Sequence, residues 1–149
     1  MHQPTEILSD RIEQKLALLE QLRDLGRRQL ALIEAGDLTQ LLKLLAAKQR
    51  LLVALQSLER DLDAFRGEDP EARVWVSPAH RQKCALNAAS CEELLRAIVE
   101  QERQSEALMR VRRDEAAARL DGAHSLAAAH RAYSAEEFSA AARLDLTQG

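Results

Sequence analysis

Apolar residues recur three and four positions apart along most of this chain, the spacing that lines one side of an α-helix. The first such segment runs from about Ile7 to Ala35. Ile12, Leu16, Leu19, Leu30 and Ile33 fall on one heptad seam, interrupted at Arg23 and Gly26, and Leu18, Leu22, Leu25 and Leu32 form a second stripe beside it. A face that wide meets two neighbours at once, as bundle helices do. The second segment, Leu38 to about Arg66, has the clearest pattern. Leu41, Leu44, Lys48, Leu51, Leu55, Leu58, Leu62 and Phe65 alternate three and four apart as one seam. Lys48 is its single polar member, expected to lay its stem along the seam and send its ammonium to water. Leu38, Leu42, Leu45 and Leu52 add a stripe confined to the first half, so that half is expected to be covered on two sides.

Between the two segments stands "EAGDLTQ". Gly36 sits where a left-handed C-terminal cap is wanted. Asp37 can accept from the free N–H groups of the next helix, and Gln40 completes a capping-box-like arrangement. A stop followed directly by a start predicts a tight αα-hairpin over about 7–66. The stretch 67–77, within "GEDPEARVWVSP", breaks the periodicity and predicts a connection across the bundle end, with Trp75 plugging that end rather than holding a ligand. Ser77 then Pro78 is a cap followed by a first-turn proline. A third helix is predicted from 78 to about 131, leaving 134–149 as a tail or a short fourth helix. About 50 residues at ~1.5 Å each span ~75 Å, against ~45 Å for either earlier helix, so the third is expected to overhang the hairpin. The fold class expected is all-α, an elongated antiparallel bundle of three long helices with coiled-coil-like packing.

Composition sharpens this picture. The overhanging portion is alanine-rich ("DEAAARL", "LAAAH", "SAAARL"), helix-prone but with little bulk to bury. Its larger apolar residues are Leu108, Met109, Val111, Leu120, Leu126 and Phe138, with Tyr133 beside them. They are candidates for binding a partner, or for packing on the same bundle or a second copy. The net charge of −3 over 149 residues offers no long-range attraction to nucleic acid. No segment has the unbroken apolar run of a membrane span, and "MHQPTEILSD" lacks the basic start and apolar body of a secretory signal, so a cytoplasmic protein is expected. Cys84 and Cys91, ~10 Å apart along one helix, are expected as small buried apolar residues.

No catalytic constellation emerges. Asp121 three residues before His124 is the nearest approach to a bundle metal pair, and further inward carboxylates are missing. Glu100 and Glu102, two apart, point to different sides of a helix. Arg103, Arg110, Arg112 and Arg113 are interspersed with acids and predict a charged exterior, and His80, His124 and His130 are expected at the surface. Neither an enzyme nor a cofactor or metal is expected.

The hairpin "LALIEAGDLTQLLKLLAAKQRLLVALQSLERDL" resembles the second half of helix one and all of helix two in the FlgN-like flagellar export chaperones of the type III secretion system. Shared features are a leucine-rich helix, a Gly-Asp type turn, and a Lys-Gln pair, here Lys48 and Gln49, followed by paired leucines, here Leu51 and Leu52. "LLRAIVEQERQSEALMRVRR" looks like their long third helix, and the likeness covers roughly residues 12 to 113. The resemblance implies an all-helical cytoplasmic chaperone that holds the helical C-terminal segments of hook-filament junction proteins through its own C-terminal helix. It also implies a tyrosine contact, here Tyr133, to the cytoplasmic domain of the export-gate membrane protein. The competing expectation is a structural homodimer, a coiled-coil interaction protein whose spare stripes meet a second copy and serve no export role.

Overall fold

In the computed structural model the backbone is described for residues 3–148 and side chains for residues 3–143. Three long helices make up the fold: α1 (Pro4–Ala35), α2 (Leu38–Arg66) and α3 (Pro78–Gln148), with one 3-10 turn at Pro70–Ala72 between the last two. No strand occurs among the described residues. The chain divides into two compact units, Met1–Leu108 and Met109–Gly149.

The turn forms for local reasons. Gly36 takes φ 71°, which a side chain would strain, and its N–H donates to the Ile33 carbonyl at 3.2 Å while that of Asp37 reaches Leu32 O at 3.1 Å. Asp37 Oδ1 accepts from Gln40 N at 3.1 Å and starts α2. Only this half of the expected capping box exists, because the Asp37 N–H is already committed to Leu32. At the start of α1, Pro4 occupies the first turn and the Gln3 N–H donates to Glu6 Oε2 at 3.2 Å, so that helix begins three residues before the apolar pattern does.

Within the first unit, α1 and α2 run antiparallel. Arg11 meets Asp61 at 3.3 Å, Lys15 meets Glu59 at 2.6 Å, and Gln29 meets Lys48 at 3.0 Å, so positions descend along α2 as they rise along α1. The first part of α3 runs parallel to α1: Glu13 pairs with Lys83 at 3.0 Å, and Gln101 Nε2 donates to Arg23 O at 3.2 Å. The core between them lies in two clusters. Leu8, Leu62 and Cys84 form one at the connection end, with Ile12, Phe65 and Trp75 against it. Leu19, Leu22 and Cys91 form the other, flanked by Leu16, Leu51, Leu52, Leu55 and Ile98 among others. Both thiols are buried and free, as expected of small apolar residues. Each enclosed leucine contributes ~1.5–3 kcal/mol relative to exposure, so these layers supply the main drive to fold.

The connection is tied to α1 by Thr5, whose hydroxyl donates to Val74 O at 2.7 Å, and to α2 by Arg73, which donates to Phe65 O at 2.8 Å. Trp75 packs on the end cluster, in the plugging position expected of it. Ser77 Oγ accepts from His80 N at 3.1 Å and caps α3. Helix α3 is helical through Gly122 and on through the segment from 134 that the sequence left open between tail and helix; Gly149, the last of that segment, lies outside the described residues.

Two expectations about α2 are corrected. Leu38 and Leu42 are 66% and 68% exposed, Leu45 is also exposed, and only Leu52 of that stripe is half-buried. The first half of α2 is thus covered on one side, along the buried Leu41–Leu44 seam. Nor does Lys48 reach water: it is buried at 8% exposure by an acceptor on each neighbouring helix.

Candidate functional site

The candidate partner-binding residues fall in the helical segment from Met109 onward, apart from Leu108, which is half-buried at the end of the first unit. Every described side chain from Met109 to Arg143 is exposed. Exposure reaches 58% at Leu120, 74% at Leu126 and 77% at Phe138. Met109, Val111 and Tyr133 are also among the exposed large residues.

Helical geometry sorts these residues into two stripes. Met109 to Leu120 is about three full turns and Leu120 to Phe138 about five, at ~3.6 residues per turn, so these three lie on one line. Val111 to Leu126 is about 4.2 turns and Leu126 to Tyr133 about two, which spreads those three over a second band roughly 60° wide, about a third to a half of a turn away from the first. The alanines at 116, 123 and 127 lie along the first line and leave it shallow. The sequence identified these residues as one set, whereas the helix presents them on two sides.

Alongside, Arg112 pairs with Glu115 at 3.1 Å and Arg113 with Asp114 at 3.5 Å. Arg103, in the first unit, grips Glu100 at 2.6 Å, and those bonds hold the Glu100 carboxyl below its usual range. The charged-exterior expectation describes these arginines. Glu100 is therefore an ionised surface group, and Glu102 points elsewhere, to Lys48. His124 and His130 are exposed, while Asp121 and His124 have no third ligand: among the described residues no group of three His, Cys, Asp or Glu is placed to hold a metal ion.

Two polar features of the first unit escaped the sequence. One is a polar layer across all three helices, in which Lys48 Nζ donates to buried Gln29 Oε1 at 3.0 Å and pairs with Glu102 of α3. Desolvation lowers the Lys48 pKa from its usual 10.5. Ser105, 2% exposed, is among the buried polar residues of the same helices. Lys48 stands out in the sequence as the one polar member of its seam, but nothing local marks Gln29 and Glu102 as its partners, since they come from distant parts of the chain. The other is His80, which is half-buried rather than at the surface: its ring lies 5.6 Å from that of Trp75, tilted by 59°. The Ser77 cap directs the first turn of α3 under the connection and carries His80 with it.

A cleft of about 530 Å³ opens among the start of α1, the end of α2 and the connection, with Leu8, Phe65 and Val74 in its lining. Of its charged members, Arg73 and Glu68 engage each other at 3.5 Å and Asp69 accepts from Glu71 N at 3.0 Å, which leaves the recess mainly apolar. Among the described residues no helix is long and apolar enough to cross a membrane.

No protein-family model matches this chain, and neither a curated protein nor a solved structure similar to it is found.

Proposed function

We propose that this chain is a flagellar export chaperone of the FlgN-like kind, acting in the cytoplasm, which captures the amphipathic C-terminal helix of a hook-filament junction protein on its own C-terminal helical segment. The observation that carries the reading is the exposure of Leu120 and Phe138 on one stripe of a segment with no buried described side chain. An apolar line on a helix is matched by the apolar face of another helix, with small alanines allowing close approach and Met109 supplying adaptable contact. Such work needs recognition and no reaction chemistry. Tyr133 stands on the second stripe with Val111 and Leu126, so a client seated on the first leaves it free for the export gate's cytoplasmic domain.

The test is titration calorimetry of the full chain with the C-terminal segment of a hook-filament junction protein. Leu120→Glu and Phe138→Glu are each expected to weaken binding at least tenfold, about 1.4 kcal/mol, with helix content unchanged. Tyr133→Ala is expected to leave client affinity intact while reducing binding to the gate domain. Unchanged client affinity in both glutamate variants refutes the reading. The same stripes are equally suited to a second copy, so sedimentation over a concentration series accompanies the titration. A tight dimer that dissociates on Leu120→Glu assigns the face to self-association.

A further inference from the structure

Near the hairpin, α1 and α2 leave a groove of about 320 Å³ between them. Leu25 and Leu32 of α1 and Leu44 and Ala47 of α2 line it with apolar surface. Arg28 stands on the α1 side and Lys43 on the α2 side, both exposed. Nearby on α1, Arg27 and Arg23 share the Asp24 carboxylate at 3.9 and 3.7 Å. Arg28 and Lys43 take part in no ion pair among the described residues, and no acidic residue lines the groove. From Leu38 to Leu58, α2 contains no aspartate or glutamate at all, so its wall carries only positive charge.

We propose that this groove is a docking site for an amphipathic helix of a partner protein whose apolar face is flanked by aspartate or glutamate. A channel between two helices accepts the ridge of a third, and a cation on each wall selects acidic flanks and sets the orientation. A second copy fits poorly, since groove-to-groove pairing places Arg28 and Lys43 against their own images. A membrane surface fits poorly as well, because the apolar side chains lie recessed between helices rather than on a protruding face. Single-stranded nucleic acid would want aromatic platforms, and none lines the groove. The site lies wholly within the Met1–Leu108 unit, so it stands or falls independently of the client face proposed above.

The test titrates the full chain with a synthetic helical peptide carrying a leucine face flanked by glutamates, and with a twin in which lysines replace the glutamates. The glutamate peptide is expected to bind about tenfold tighter, with the difference shrinking as salt screens the two cations. The double variant Arg28→Glu, Lys43→Glu is expected to reverse the preference without altering circular dichroism or melting, because both side chains are exposed and unpaired. Leu120→Glu is expected to leave glutamate-peptide affinity as it is, which separates this groove from the client face. The proposal is overturned by equal affinity for the twins, by failure of the glutamate peptide to bind, or by a preference that survives the double variant. It is also overturned if the charge swap acts on anionic vesicles or on self-association instead.

Discussion

Gly26 of α1 lies directly beneath the Gln101 side chain of α3, so close that a Cβ at Gly26 would collide with the Gln101 amide. The interruption of the α1 seam at Gly26 is therefore where a side chain of α3 closes on the α1 backbone, held there by Gln101 Nε2 donating to Arg23 O at 3.2 Å. Gly26→Ala gains up to ~1 kcal/mol of helix propensity but displaces that amide and its bond, worth ~1 kcal/mol, so the single variant is expected to melt near the parent. Gly26→Ala with Gln101→Ala keeps the gain without the collision, and denaturant unfolding is expected to show it about 1 kcal/mol above Gln101→Ala alone.

The Lys48 layer makes a prediction with a sign in pH. Lys48→Leu alone orphans buried Gln29 Oε1 and is expected to be neutral or destabilising by ~1–2 kcal/mol. Lys48→Leu with Gln29→Leu completes the apolar seam, and Glu102, 46% exposed, can return to water; this pair is expected to stabilise by about 1–3 kcal/mol. Because burial lowers the Lys48 pKa, the unfolded chain binds more protons between that lowered value and 10.5. The parent's handicap is therefore full below the folded pKa and fades as pH climbs toward 10.5. The gap in unfolding free energy between parent and double variant is expected to narrow from neutral to alkaline pH, and a constant gap would contradict this account.

Glu59 behaves in the opposite sense. Burial pushes its pKa up, but hydrogen bonds and charge from Lys15 and Arg66 outweigh burial and leave it below the usual 4.5. Its contribution is present above pH 4.5 and disappears as pH falls through the lowered folded value. Glu59→Gln is expected to lose about 0.5–1 kcal/mol at neutral pH, with the two curves meeting in acid.

Cys84 and Cys91 have pKa values raised by burial, and both thiols are almost wholly enclosed. A thiol-specific reagent at neutral pH is expected to label neither in the native chain and both in denaturant. Labelling should then track unfolding of the first unit, and rapid labelling without denaturant would show that the Leu19–Cys91 layer is not packed as described.

What was legible in the chain was what neighbours in sequence decide. The Gly36–Asp37 turn, the Ser77 cap and the unbroken seam of α2 depend on residues within a few positions of each other. The burial of Lys48 was not legible, because Glu102 lies in another helix and its arrival reverses the expected outward reach of the ammonium. Leu38 and Leu42 were misjudged for a related reason: periodicity shows that a helix has a second apolar side, but not whether a neighbour comes to meet it. The same ambiguity governed the candidate site, where a roster of apolar residues became two stripes only once the helix gave each one a direction.

From Met109 to Arg143 every described side chain is exposed, so the backbone hydrogen bonds of that stretch have little around them but solvent. Its amides should trade deuterium within a local, fraying regime, while those around Leu19 and Leu22 wait for global opening. Any molecule that settles along those turns must slow that isotopic clock, so mass-resolved deuterium uptake would locate the contact turn by turn before the ligand itself is known.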